Sequence, residues 1–245
     1  MKIQVINPNT TADMTAKIGA AARQVASSGT AIVATNPTMG PVSIEGHYDE
    51  ALSVIGVLDE IRQGEAAGVD GYVIACFGDP GLRAARELAR GPVVGIAEAA
   101  MHAASLIASR FSVVTTLSRT KVIAQHLVHS YGMEIGCASI RATDLAVLDL
   151  EDTSGAAKAS ILQECRLALQ EDEAEAIVLG CGGMADLAAE LTQDLGVPVI
   201  DGVTVGVKLV EALVALGLGT SKVRDFAPPI PKPCVGLLEG FTREA

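Results

Sequence analysis

Two cysteines in this sequence stand where a pair of thiols could act on one small molecule. Cys76 ends the apolar run Gly71-Tyr72-Val73-Ile74-Ala75, and Cys181 ends Ala176-Ile177-Val178-Leu179-Gly180. Each run is uncharged and of strand length, the pattern of a strand buried on both faces. A glycine-bearing turn follows each cysteine, Phe77-Gly78-Asp79-Pro80-Gly81 in one case and Gly182-Gly183 in the other, and then a helical segment. A proline comes 16 residues after Cys76, at Pro92, and 17 after Cys181, at Pro198. The cysteines thus share one position in two similar units. That position is the carboxyl end of a strand, where open α/β sheets bind ligands.

A thiolate is both a base and a soft nucleophile, and a helix N-terminus lowers the pKa of a free thiol from about 8.5. Both turns lead into helices, so lowered values are expected at Cys76 and Cys181. A single cysteine would suggest covalent catalysis. Two on opposite faces of one site suggest proton transfer: one thiolate takes a proton from a carbon acid and the other thiol returns one to the opposite face, inverting the centre. The N–H groups of Gly78, Gly182 and Gly183 could stabilise a developing oxyanion.

The elements that must position these thiols are legible in order. Lys2–Ile6 reads as a strand, and Asn7-Pro8-Asn9-Thr10-Thr11 as a turn whose threonines can cap a helix from Ala12 to Ala26. A strand over 31–35, a Pro/Gly-rich loop over 36–45 and a long helix from His47 to Ala67 precede the first cysteine strand. A helix of small residues over 97–110, a strand over 111–115, a helix over 121–131, a strand over 138–142 and a helix over 156–172 precede the second. A last amphipathic helix spans 203–216, and the tail with Pro228, Pro229, Pro231 and Pro233 reads as extended.

The repeat reaches past the cysteines. Ile3-Gln4-Val5-Ile6-Asn7 matches Phe111-Ser112-Val113-Val114-Thr115 at a step of 108, and Ala34-Thr35-Asn36 matches Ala142-Thr143-Asp144 at the same step. A duplication of this length implies two related βαβ-type lobes. Facing lobes would set Cys76 and Cys181 across one cleft, with the loops at Asn7–Asn9 and Thr115–Thr116 beside them, a geometry for a small ligand.

Composition narrows the function. The net charge is −11, with 18 Lys and Arg against 29 Asp and Glu and no basic run, which argues against nucleic acid and anionic membranes as partners. The longest uncharged stretch, 24–44, is broken by Ser27-Ser28-Gly29, Pro37 and Pro41 and does not read as a membrane span. Met1–Asn7 turns polar too soon for a signal peptide. Five widely spaced cysteines, an odd number, fit a reducing cytosol better than a disulfide framework, so a cytoplasmic location is expected. The sequence has no dinucleotide fingerprint and no phosphate loop, and no cofactor is expected. His47, His102, His126 and His129 form no metal-ligand pattern with the cysteines.

The segments Met1–Thr10, Ser43-Ile44-Glu45-Gly46, Cys76–Leu82 and Ile177–Met184 together resemble the hydantoin and allantoin racemase branch of the aspartate/glutamate racemase superfamily. The likeness runs to about Ser221 and leaves the proline-bearing tail outside. It implies a cofactor-independent isomerase acting on a small cyclic amide, with Cys76 and Cys181 as paired acid and base. The implied fold is α/β: two pseudo-symmetric doubly wound, flavodoxin-like lobes with mostly parallel sheets and the active site in the cleft between them. The helix after each lobe would cross to the other, dividing the chain into 1–96 plus 205–245 and 97–204. A homo-oligomer is also implied. Amino-acid racemases of the superfamily follow their cysteines with Asn-Thr or Thr-His, whereas Phe77-Gly78 and Gly182-Gly183 suit a neutral ring. Gly182-Gly183-Met184 looks closest to the allantoin-acting members.

Asn9, Phe77, Gly78, Thr115, Thr116, Gly182 and Gly183 are accordingly the candidate substrate-binding residues. Other roles compete. Asn9 can simply close its turn, and Glu45 can cap the helix at His47. Asp79 can serve the dipole of the helix that follows it. Met39 and Met101 can border a substituent pocket or pack in the core. Cys137, Cys165 and Cys234 read as buried or inert. Two other functions stay open on the residues alone: a single-thiolate lyase such as an arylmalonate-type decarboxylase, a group that keeps one of the two cysteines, and a non-catalytic two-lobe metabolite binder. A redox pair would require the cleft to collapse.

Overall fold

The computed structural model describes residues 1–151 and 154–243. Eight strands form two four-stranded sheets. The first holds β1 (Lys2–Ile6), β2 (Ala31–Thr35), β3 (Gly71–Ile74) and β4 (Val93–Gly95) in the order β2-β1-β3-β4. The second holds β5 (Phe111–Thr115), β6 (Cys137–Ala142), β7 (Ala176–Leu179) and β8 (Val199–Ile200) in the order β6-β5-β7-β8. Every ladder is parallel. The shared strand order makes the two lobes copies of one flavodoxin-like half, each with its switch point at the central pair.

Parallel sheets need both faces covered, which is why β1, β3, β5 and β7 are apolar almost throughout. In the first lobe α2 (His47–Ala66) and α3 (Leu82–Leu88) cover one face, where Val57, Ile61 and Leu82 pack on Ile6, Tyr72 and Ile74. On the other face lie α1 (Ala12–Val25) and α8 (Gly202–Ala215), where Ile18, Val203, Val207 and Val210 meet Ile3, Val5 and Val73. In the second lobe α4 (Ile96–Ile107) and α5 (Lys121–Ser130) cover one face through Ala97, Ala100, Met101 and Ala124. The other face is covered by α6 (Ala156–Glu171) and α7 (Ala188–Leu195), through Ile161, Cys165 and Leu191. Each fully buried Ile contributes about 1.5–3 kcal/mol.

Helix α4 follows the first sheet in sequence yet packs on the second, and α8 follows the second sheet yet packs on the first. The two crossing helices also pack against each other. Glu211 fastens α8 to the end of α1 by accepting from the Ser27 N–H (2.8 Å) and hydroxyl (2.9 Å). Burial pushes its carboxyl up, but Lys208 and these donors outweigh burial and hold it at about 2.

Three readings of the sequence change. The match of Thr35 with Thr143 slips. With Val5 and Val113 taken as equivalent, their ladder partners are Ala34 and Ile140, a step of 106, because the connection from β5 to β6 is shorter than that from β1 to β2 and the extra β6 residue at the register shift between Phe111 and Ser112 makes up only part of the difference. The glycine turn after Cys181 is a 3-10 helix, Gly182–Leu187, that precedes α7. The tail is not simply extended: it forms 3-10 turns at Arg224–Phe226 and Gly236–Phe241 and an antiparallel bridge between Lys232 and Arg243. Lys222 donates to the Glu87 carbonyl (3.0 Å) at the C-terminus of α3, a favoured place for a cation. Among the described residues, no helix is long and apolar enough to cross a membrane.

Candidate active site

A cavity, partly open to solvent, lies where the carboxyl ends of both sheets meet. It brings together every candidate residue from the sequence: Cys76, Cys181, Asn9, Phe77, Gly78, Thr115, Thr116, Gly182 and Gly183. Glycine permits this approach. A Cβ on Gly182 would stand 2.7 Å from the carbonyl oxygen of Ala75, the residue before Cys76, and one on Gly180 would stand 2.7 Å from the Thr115 Cβ. Gly182 can therefore lie against the end of β3, and the end of β7 against that of β5, only because these positions carry no side chain.

The first-strand loops are held from within. The Asn7 amide donates to Asn9 Oδ1 (2.7 Å) and Thr15 Oγ1 (3.0 Å). Asn9 Oδ1 also accepts from the Thr11 N–H (2.9 Å), so Asn9 closes the turn, while Thr11, the residue before α1, makes no side-chain cap of the kind expected. Its amide nitrogen meets only the weak acceptor Met14 Sδ, at 3.3 Å. Thr115 donates to the Gly180 carbonyl (3.1 Å), joining the two central strand ends of its lobe. The Thr116 hydroxyl has no hydrogen-bond partner among the described residues, nor do the backbone N–H groups of Phe77 and Gly182. These donors are available to a ligand.

The thiols are not lowered as expected. Burial pushes Cys76 far above the ordinary thiol range, against a hydrogen bond from the Gly78 backbone, and Cys181, Asp79 and Glu50 push it further. Burial also raises Cys181, to about 11, while the Gly183 backbone and Lys17 lower it and Glu151 and Glu45 raise it. The helix-terminus argument fails for a geometric reason. The helix after Cys76 begins only at Leu82, and Cys181 caps a 3-10 turn. The N–H groups of Gly78 and Gly183 serve the sulfurs in place of an oxyanion.

Asp79 belongs to a different helix from the one expected. Its carboxylate accepts from Ala97 N (3.1 Å), Glu98 N (2.9 Å) and the Tyr131 hydroxyl (2.7 Å), so it caps α4 and reaches the end of α5. Gly95, the formal cap residue of α4, leaves it room: a Cβ there would lie 2.2 Å from Asp79 Cγ. Burial pushes Asp79 up to about 7 against these three donors. Glu45 bridges the lobes, accepting from Val147 N at 2.9 Å, and Asp49 accepts from Glu45 N at 3.0 Å. Met101 is fully buried in the core and Met39 is exposed; neither lines the cavity.

Sequence reasoning missed Met14, Ile44, Glu50, Ile123 and Val147 in the cavity wall. Ile44 lies in one of the segments that carry the family likeness, but nothing local assigned any of the five to the cavity. Among the described residues, the wall has one charged side chain, Glu50, and no lysine or arginine. No group of three or more His, Cys, Asp and Glu there could hold a metal ion.

Comparison with known proteins agrees with this architecture. The sequence model of the Asp/Glu/Hydantoin racemase family matches residues 3–210. A hydantoin racemase of Pseudomonas sp. strain NS671 is 54% identical over 243 residues, covering 99% of this chain and 98% of the relative. That alignment takes in the proline-bearing tail, which therefore lies inside the likeness. The solved allantoin racemase from Klebsiella pneumoniae is 59% identical, superposes with a TM-score of 0.97, and covers 99% of each chain. The allantoin racemase from Pseudomonas fluorescens is 44% identical with a TM-score of 0.93, covering 96% of this chain and all of that one. Agreement of sequence and fold over nearly the whole length places the chain in the Asp/Glu/Hydantoin racemase family, as an isomerase of the racemase class.

Proposed function

We propose that this racemase inverts C5 of 5-monosubstituted hydantoins, with allantoin as the leading substrate, by proton transfer between Cys76 and Cys181. The observation that carries this reading is two thiols, one from each lobe, in the wall of one cavity that no lysine or arginine lines among the described residues. Such a wall offers no cation to the carboxylate of an α-amino acid, and a neutral ring calls for none.

A hydantoin suits the chemistry because its C5 is flanked by a carbonyl and a nitrogen. One cysteine, as the thiolate, removes the C5 proton, and the electron pair moves into the C4 carbonyl. The free N–H groups of Phe77 and Gly182 and the Thr116 hydroxyl are the donors for that oxygen, each worth about 3 kcal/mol in such a role. The Asn9 amide can bind the other ring carbonyl. The second cysteine, as the thiol, then delivers its proton to the opposite face of C5. The pair ends with its protonation states exchanged, and the reaction consumes no co-reactant. Burial makes each thiolate a stronger base than a solvated one, which favours removal of a carbon-bound proton.

The same reading divides the chain into lobes at 1–96 plus 205–245 and 97–204. The packing of α8 on the first sheet and of α4 on the second, and the bond from Lys222 of the tail to α3, support it. It also includes self-association, for which exposed Leu106 (83%) and Ile135 (99%) offer apolar surface.

The test follows optical rotation of single enantiomers of allantoin and of 5-benzylhydantoin, corrected for spontaneous racemisation. Wild type should abolish the rotation of allantoin, and Cys76→Ser and Cys181→Ser should each lose at least about a hundredfold in rate with an unchanged circular dichroism spectrum. Wild-type rates in either variant would refute the two-base chemistry. Stable rotation of both compounds would refute the substrate assignment.

A further inference from the structure

Glu50 stands apart from the rest of the cavity wall. It lies in the first turns of α2 and is the one charged side chain among the described residues that line the cavity. A Cβ added to Gly78 would stand 3.9 Å from Glu50 Cδ and 4.0 Å from Cys76 Sγ, so carboxyl and thiol flank one point of the wall. Ile123 Cγ2 borders the same point at 3.8 Å. The carboxylate is short of donors. Two imidazoles, His47 and His126, act on it, and the His47 Nδ1 stands 3.6 Å from Oε2, too long for a direct hydrogen bond. Its side chain is 27% exposed, and burial raises its pKa. A half-buried carboxylate without direct donors costs free energy unless a ligand supplies them.

A planar ring held with C5 against Cys76 Sγ carries its C5 substituent along the wall toward this carboxylate. Two kinds of substituent differ there. An alkyl or aryl group would strip water from the carboxylate and return nothing. A ureido group, –NH–CO–NH₂, presents two parallel N–H bonds on the side away from its carbonyl. These match the two oxygens of a carboxylate as the guanidinium fork does. Resting on the hydantoin reading above, we propose that Glu50 is the specificity-determining residue of this site, its carboxylate receiving paired N–H donors of the C5 substituent, so that ureido-bearing hydantoins such as allantoin are selected over hydrocarbon-substituted ones. Discrimination of this sort is strong when a site is built to bond a polar group that the competitor lacks.

The test measures kcat/KM for allantoin and for 5-isobutylhydantoin on the same preparations of wild type and Glu50→Gln. The ratio of the two values is independent of the fraction of enzyme that is folded. Glutamine keeps the shape but offers one acceptor oxygen and no charge, so the allantoin-to-isobutyl ratio should fall about tenfold or more. A ratio that stays constant or rises would overturn the proposal. A proportional fall in both activities would then assign Glu50 to the fold or the chemistry. Wild type that racemises 5-isobutylhydantoin but not allantoin would overturn the proposal and leave the hydantoin reading standing. Wild type that racemises neither would overturn both.

Discussion

Lys17 stands beside Cys181, whereas Glu50 and Asp79 stand beside Cys76. The lysine is itself anchored, donating to the Leu150 carbonyl at 3.0 Å and lying 3.5 Å from Glu151. Two thiols alike in sequence context thus differ in field. Removing a proton from Cys181 places an anion near the Lys17 cation as well as near Glu151 and Glu45, while removing one from Cys76 places it near carboxyls with no cation, and burial opposes both. Cys181 is therefore the more acidic of the two thiols. Because its pKa is about 11, the thiolate fraction is small at neutral pH and still growing well above it. Iodoacetamide should alkylate Cys181 before Cys76, at a rate that rises about tenfold per pH unit between pH 7 and 9. Peptide mapping by mass spectrometry reads the order, and loss of activity reads the rate. A plateau near the ordinary thiol pKa, or Cys76 reacting first, would contradict this electrostatic picture. None of the asymmetry is visible in the repeat, since Lys17 belongs to α1 and reaches Cys181 only across the lobes.

Helix α8 carries its own cap, Asp201, whose carboxylate accepts from Thr204 N at 2.9 Å. Helix α4 has Gly95 at the equivalent place and borrows Asp79 from the cysteine loop. Asp79 holds a left-handed backbone conformation (φ 46°), uncommon for a residue with a side chain, and its N–H bonds the Cys76 carbonyl at 3.0 Å. One residue thus fixes the Cys76 loop, the start of α4 and Tyr131 together. Its carboxyl is raised from 3.8 to about 7, so the folded state holds this proton more tightly than the unfolded chain. The stability it contributes is complete below about pH 4 and is lost as pH rises through 7, by at most about 1.4 kcal/mol per pH unit. Urea unfolding of wild type should show this decline between about pH 4 and 7, and Asp79→Asn, which cannot ionise, should show a smaller one. Parallel profiles would contradict the assignment. Most elements were legible: six of the eight strands and the main helices appear within a few residues of their expected places, because burial on both faces of a parallel sheet leaves long apolar runs, whereas the short edge strands β4 and β8 were not read as strands. The 3-10 turn after Cys181, the register shift in β6 and the cap from Asp79 were not legible. Each depends on a neighbour distant in sequence, and local propensity does not encode it.

At the scale of the molecule, the duplication provides two sheets whose carboxyl ends can face each other, and the exchange of α4 and α8 fastens them in that relation. Gly182 against the Ala75 carbonyl, Glu45 on Val147 and Lys17 on Leu150 close the seam around the cavity. The cleft and its nine expected residues followed from the repeat and the family likeness. Glu50 did not, because a carboxylate in the first turns of a helix reads as a solvated partner of the helix dipole until the cavity is seen. The central claim, that one thiol serves each face of the substrate carbon, has a direct isotopic test. A single enantiomer of allantoin is converted in D₂O and stopped early, the enantiomers are separated, and deuterium at C5 is measured by mass spectrometry against a protein-free control. The account predicts deuterium in the inverted product and protium retained in the remaining starting enantiomer, because the thiol that protonates one face is not the one that removed hydrogen from the other. Deuterium at equal levels in both enantiomers would show a single base working on both faces and would contradict the account.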